Sequence, residues 1–295
     1  MSTTAASANA HPQPSGRLRR HIRANRPWWD MEWRELYEYR DLLALMVRRD
    51  LTAVYKQTIL GPLWFIIQPL ITTVVFTIIF GKVANVSTDG VPQFVFYMCG
   101  TILWNYFAGC LNHGANSLTA NTNVLSKVYF PRLVIPLSGV FTNLAHFALN
   151  LVMFLGFYLY YLFITGSALQ PRWELVFFPL LVVQSALIGL GVGLWVAALT
   201  IKYRDLRFAL GFLTQIWMYA TPIVYPASLV GRPSMQAVLW ANPMSFVVEC
   251  ARWMFTGSGT VHLFGAALSI GVTLLLVVSG VFFFNRLQRN FVDTI

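Results

Sequence analysis

Three carboxylates, Glu174, Asp205 and Glu249, and three histidines, His113, His146 and His262, stand in or beside the longest apolar runs of this chain. They could in principle move protons or hold a metal. The carboxylates are far apart in sequence and offer no acid and base pair, and the histidines lack metal-ligand spacing. His146, in "NLAHFALN", is the only one deep in an apolar run. It reads either as a functional ionisable group or as a neutral histidine hydrogen-bonding across helices to Asn143 or Asn150. Glu249 and Arg252 are spaced to meet on one helical turn as an internal ion pair. Asp205, between Arg204 and Arg207, is expected to offset two cations and to cap the next helix. No Gly-x-x-x-x-Gly-Lys-Ser/Thr phosphate cradle occurs, so ATP is not bound here by that device. Cys99 and Cys110 lie eleven residues apart on one expected helix, about 16 Å along its axis and too far to bridge. With Cys250 they suggest neither a disulfide nor a metal site.

The elements that must carry these groups are dictated by composition. The 295 residues are 57% hydrophobic and only 11% charged, where soluble proteins carry about 25% charged residues. Asp, Glu, Lys and Arg are absent from 61–81, 90–126, 133–171, 175–201, 208–231 and 253–285. Each stretch can hold a crossing of about 20 residues, with the second expected at about Gln93 to His113 and the fifth at about Phe208 to Tyr225. The expected fold is therefore an all-α membrane protein with six transmembrane helices. The polar first sixty residues do not read as a signal peptide. Of the 21 basic residues, all but Lys82, Arg172, Arg232 and Arg252 fall on one side of an alternating six-span topology. That side is the cytosol, with both termini in it. The net charge of +10 thus speaks for membrane lipids as partners rather than nucleic acid.

Residues 1–27 read as a disordered basic arm. From 28 to 58, Trp29, Trp33, Leu36, Leu43, Val47, Leu51 and Val54 recur at helical spacing. An amphipathic helix in the cytosolic interface and a soluble coiled-coil arm both fit that pattern. The remainder, 59–295, begins at "LGPLWFIIQPL", where Pro69 is expected to kink the first span unless neighbours satisfy the freed carbonyl. The connector "NTNVLSKVYFPRLVIPLS" is basic and broken by proline. It fits a compact protrusion that takes up force from a soluble partner, and equally a plain loop whose Lys127 and Arg132 enforce topology. Between 226 and 260, two apolar pieces too short to cross are split by "NP". They suggest a re-entrant or interfacial pair on the outer side. Trp64, Phe65, Trp104, Tyr106, Trp217, Tyr219 and Tyr225 are belt or core residues. If they line a conduit, their flat faces would hold sugar rings that can still slide.

Taken in order, "VYKQTILGPLWFIIQPL", "FYMCGTILWNYF", "NTNVLSKVYFPRLVIPLS", "YRDLRFALGFLTQIWMYATPIVYP", "NPM" and "FNRLQRNFVDTI" resemble the membrane subunit of ABC exporters for cell-surface polysaccharides, the O-antigen and teichoic acid permeases. The likeness spans about residues 35–293. It implies a homodimer of this chain above two copies of a separate ABC ATPase, with ATP and Mg on that partner and none here. It implies that the connector at 119–132 is the coupling element, through Asn121, Leu125, Lys127, Tyr129, Phe130 and Arg132. It further implies that the segment at 226–260, with Glu249 and Arg252, is an outer gate, and that the aromatics of spans one, two and five flank the glycan path. The family tail often has a glutamate where this chain has Gln288. The expected function is export of a lipid-linked polysaccharide, O-antigen-like, across the inner membrane by a non-enzymatic subunit. A stand-alone polytopic enzyme acting on glycan-lipids is the alternative, and would draw on Glu174, Arg172, Arg232, Glu249 and Arg252. An ion-coupled carrier would rest on His146 alone.

Overall fold

The computed structural model describes residues 37–57, 59–121, 130–166, 169–203 and 205–292. The arm at 1–27, the Trp-rich start of the expected interface helix, and Leu125, Lys127 and Tyr129 lie outside the described residues. All regular structure among the described residues is helical: α1 Arg40–Gln57, α2 Trp64–Phe76, α3 Gln93–Ala120, α4 Val134–Phe163, α5 Phe178–Lys202, α6 Leu206–Ala220, α7 Pro233–Ala241, α8 Pro243–Thr256 and α9 Leu263–Val292. A 3-10 turn at Gly61–Leu63 leads into α2, and a π-helical stretch at Thr77–Val83 extends it. Pro69 is buried within α2, which runs on past it.

Five stretches are long and apolar enough to cross a membrane: Gly61–Val83, Gln93–Ala120, Val134–Phe163, Trp173–Thr200 and Leu263–Arg286. The expected fifth crossing, Phe208 to Tyr225, differs. Helix α6 has 15 residues, about 22 Å at 1.5 Å per residue, against a hydrocarbon core of about 30 Å. It stops at Ala220 because Thr221 is extended (φ −99°, ψ 141°) and its hydroxyl accepts a hydrogen bond from the Asn242 amide at 2.8 Å. Conversely α3 runs about two turns beyond the expected end at His113. Its asparagines do not break it, because Asn112 and Asn116 return their amide N–H groups to the carbonyls of Ala108 (2.8 Å) and Asn112 (2.9 Å).

Helix α3 is the axis of the bundle, packed by α2, α4, α5, α6 and α8. The "GLGVG" run of α5 makes that packing close. On one face, a Cβ at Gly189 would lie 2.7 Å from the Phe107 carbonyl, and one at Gly193 2.8 Å from that of Leu111. On the other, Gly191 meets α9, where a Cβ would stand 2.9 Å from the carbonyl carbon of Leu276. Small residues four apart let helix backbones touch where dispersion, rather than water exclusion, must hold them. Polar bonds pin the same seam: Trp195 Nε1 donates to Ser279 Oγ at 2.9 Å and Gln184 Nε2 to Ser269 Oγ at 2.7 Å.

Asp205 does not cap α6. Its backbone is already helical, with no side-chain cap bond, and its carbonyl accepts from Phe208 N at 3.0 Å. His146 does not bridge to either asparagine. Its ring stacks on Phe65 at 3.6 Å, Asn143 donates to the Gly139 carbonyl at 2.7 Å, and the Asn150 Oδ1 has no partner.

Gly193→Val should wedge α3 from α5 and cost about 1–3 kcal/mol by overpacking. Gly211→Ala and Gly271→Ala, where a Cβ meets nothing within 4 Å, should be neutral or slightly stabilising. Thermal unfolding of the three variants in one detergent checks the contrast.

Candidate functional site

Two polar assemblies and one set of rings occupy the positions singled out in the sequence. The first assembly lies at the connector. Asn121 ends α3, buried; its amide donates to the Ser117 carbonyl at 3.0 Å, and its Oδ1 accepts from Arg49 on α1 at 3.4 Å. Arg49 also pairs with Asp50 at 2.7 Å. At the far end, Phe130 is buried with Met46 of α1 and with Val134 and Ile135 of α4, and Tyr39, Leu42 and Leu43 pack against them. Both described ends of the connector are therefore fastened to one helix, α1. Arg132 is partly exposed at the start of α4.

The second assembly holds the segment between 226 and 260. Helix α8 has 13 of its 14 residues buried, packed on α3, α5 and α9, whereas α7 buries only Leu239. The difference follows from sequence: α8 carries Val247, Val248, Ala251, Met254 and Phe255 on a helix capped at both ends. Asn242 is its N-cap, accepting from Met244 N at 3.1 Å, and Gly257 closes it in the left-handed conformation (φ 74°), as glycine permits. Within α8, Glu249 and Arg252 are 0% and 1% exposed and pair at 2.7 Å, as their spacing predicts. Each reaches further. Glu249 Oε1 accepts from Ala227 N at 3.1 Å, and Arg252 donates to the Pro222 carbonyl at 2.9 Å. The guanidinium carbon of Arg252 stands 3.6 Å from the Phe96 ring centre. The pair thus staples the irregular segment after α6 to α8 and α3. Glu249 Oε2 and Arg252 Nε have no hydrogen-bond partner.

Asn242 is the junction that the sequence reading missed. It was seen only as half of a breaking dipeptide, although asparagine before proline at a helix start is a capping signal. Its Oδ1 accepts from Trp217 Nε1 at 3.0 Å as well as from Met244, and its amide holds Thr221. One side chain therefore joins α6, the turn after it and the α7–α8 hinge.

The seven aromatics separate by place. Trp104 and Tyr106 are buried in the chain's own core. Trp217 closes on Trp104 at 6.2 Å and on Phe107 at 4.9 Å, and Tyr225 packs against the same core. Trp64 and Tyr219 are about half exposed, and Phe65 carries the His146 stack. Cys99, Cys110 and Cys250 are free and buried. Burial, with Glu174 nearby, pushes the Cys250 thiol up to about 11, far from the thiolate that reactivity needs. Among the described residues no group of three His, Cys, Asp or Glu could hold a metal ion.

The profile of the ABC-2 type transporter family matches residues 41–256, from the start of α1 to the last residue of α8. The chain belongs to the ABC-2 type transporter family. The matched region takes in the connector and its two anchors, the sealed α8 and every residue of the Asn242 junction. This ABC-2 chain is 34% identical over 215 residues to the O-antigen export system permease protein RfbA of Myxococcus xanthus, covering 72% of this chain and 78% of that one. It is 28% identical over 254 residues to the protein of the same name from Klebsiella pneumoniae, covering 86% and 94%. It is 22% identical over 206 residues to the polysialic acid transport protein KpsM of Escherichia coli, covering 69% and 77%. The chain is thus a multi-pass transporter permease subunit.

Removing one partner of the buried pair strands the other. Arg252→Met should destabilise the chain by about 3–5 kcal/mol, whereas Glu249→Leu with Arg252→Met together should cost clearly less. Thermal unfolding of both variants in detergent measures the difference.

Proposed function

We propose that this chain is the permease subunit of an ATP-driven exporter that carries a lipid-linked polysaccharide, of the O-antigen kind, across the inner membrane. The observation that carries this reading is the likeness to two O-antigen export permeases over 72% and 86% of the chain. Two copies would form the conduit, above two copies of an ABC ATPase that binds ATP and Mg. The subunit itself would catalyse no reaction.

The connector at 119–132 would receive the stroke of the ATPase. Its fastening to α1 at Asn121 and Phe130 supports this, because a push on the segment between them must move α1 or break those contacts. Helix α1 would be the amphipathic interface helix, with Met46 on the protein side and Leu45, Arg48 and Arg49 outward. The basic residues around it favour the cytosolic face. With both termini cytosolic, a sixth crossing is required, and α6 continued by the turn at 221–229 would supply it. The α7–α8 pair would then dip in from the outer side. A helix 14 residues long and buried in protein meets the condition for broken backbone at membrane depth. Glu249 and Arg252 would act as a gate hinge, since they hold the turn after α6 without facing any conduit. Of the aromatics, Trp64, Phe65 and Tyr219 have the exposure to meet a glycan. Trp104, Tyr106, Trp217 and Tyr225 would support them from behind.

Replacing Leu125 and Tyr129 together by aspartate should weaken ATPase docking about thirtyfold, the loss of an anchor worth about 2 kcal/mol. Co-purification with the ATPase and surface polysaccharide in cells measure it. Unchanged docking and export would remove the coupling role. A chain that never binds an ATPase and whose loss leaves surface glycan intact would remove the exporter itself.

A further inference from the structure

The cytosolic half of α3 carries polar groups that the fold does not need. Asn105, Gly109, Asn112 and Asn116 recur at intervals of four, three and four, which puts them on one face of the helix. Asn105 and Asn116 are exposed and Asn112 half-buried, on a segment otherwise sunk in the bundle. From Asn105 to Asn116 the face runs about 16 Å. A side-chain amide at that depth is costly against lipid, and belongs against protein or a water-filled cavity.

An open cleft of about 410 Å³ lies on this face, walled by Asn112, His113, Asn116, Ser117, Asn121 and Asn143. Three observations mark it as built for a ligand. First, Asn112, Asn116, Asn121 and Asn143 each fix one amide N–H on the carbonyl a turn back. Their rotamers are thereby held before anything binds. Second, the Ser117 hydroxyl, 1% exposed on the cleft wall, has no hydrogen-bond partner. Third, the glycines make room: a Cβ at Gly109 would strike the Asn143 amide, and one at Gly139 the His113 ring. The charges beside the cleft cancel. Arg49 pairs with Asp50 at 2.7 Å, and Asp50 also stands 3.9 Å from His113 Nε2. An array of neutral amides that both donate and accept suits hydroxyls, while a phosphate would call for unpaired cations. Asn143 is one turn from His146 on α4, and His146 stacks on Phe65 at 3.6 Å. This aromatic stack thus lies one turn along α4 from the amide wall, and rings of this kind meet the apolar face of a sugar.

We infer that this cleft is a binding site for neutral, hydroxyl-rich sugar residues at the cytosolic mouth of the conduit. The inference rests on the exporter reading for its cargo and adds where the glycan is first held, by amides rather than by the aromatics alone.

The test uses the full chain with its ATPase in inverted membrane vesicles, carrying Asn112→Cys or Asn116→Cys beside the three buried native cysteines. A charged, membrane-impermeant methanethiosulfonate should label both variants, and millimolar mannotetraose or galactotetraose should slow labelling about fivefold, the worth of roughly one hydrogen bond. Inorganic pyrophosphate should not protect. Absence of labelling, equal protection by pyrophosphate, or disulfide linkage of two copies through Asn116→Cys would each overturn the site, the last by making this face a contact between copies. Gly109→Ala, which displaces Asn143 without adding a thiol or a charge, should lower polysaccharide export about fivefold. Normal export in that variant, with no sugar protection, would sink the cleft and leave the exporter standing. Sugar protection in a chain whose deletion leaves surface glycan unchanged would sink the exporter reading and keep the cleft.

Discussion

A polar group in hydrocarbon has no water to fall back on, which favours a partner within the protein for those brought into this bundle, with Ser117 Oγ and Asn150 Oδ1 among the exceptions. That constraint orders most of the structure. Thr73, Thr101, Thr142 and Thr214 return their hydroxyls to carbonyls one turn back, and four asparagines do the same with their amides. The two charges of α8 are tolerable only because they lie 2.7 Å apart and share further work. Burying such a pair gains little net stability. What it provides is placement: the turn after α6 can sit in only one way if Arg252 is to reach the Pro222 carbonyl and Glu249 the Ala227 amide.

The same requirement explains why the α7–α8 segment is assembled around single side chains. Helix α8 is too short to cross and too apolar to lie in water, so it is wrapped by α3, α5 and α9. Its hinge carries a proline that lacks an N–H, and Asn242 supplies the missing order by joining Trp217, Thr221 and Met244. Tyr158 ties the other end, donating to the Phe255 carbonyl at 2.7 Å, while Arg172 lies over Trp253 at 4.5 Å. At the connector the corresponding role falls to α1, which is fastened to the described ends of that segment by the Arg49 to Asn121 hydrogen bond and by packing at Phe130.

Much of this was legible beforehand. Six charge-free runs were read as crossings and five of them hold helices long and apolar enough to cross, the Glu249 to Arg252 spacing predicted their contact, and the "NP" marked the hinge between α7 and α8. The misreadings have physical causes. Helix α3 runs past the expected end at His113, where Asn112 and Asn116 bond to the carbonyls of the preceding turn, contacts that residue type alone does not reveal. The fifth crossing was read as too long because apolar content extends to Tyr225, whereas the backbone leaves the helix at Thr221 to meet Asn242. Asp205 was read as a cap from its type, but its own helical backbone removes that geometry.

By itself the sequence determined that the chain is a helical membrane protein, where five of its long apolar helices lie, and that Asn242 and Pro243 break the segment between 226 and 260. These are properties of composition along a line. Which face of each helix meets protein was decided only in the tertiary structure. Lipid tails are as apolar as leucine, so periodicity does not separate Trp104, sealed in the core, from Trp64, half exposed at the start of α2. Nor could it reveal that the amide face of α3 stands partly exposed beside a cleft, because that depends on how closely the neighbouring helices approach.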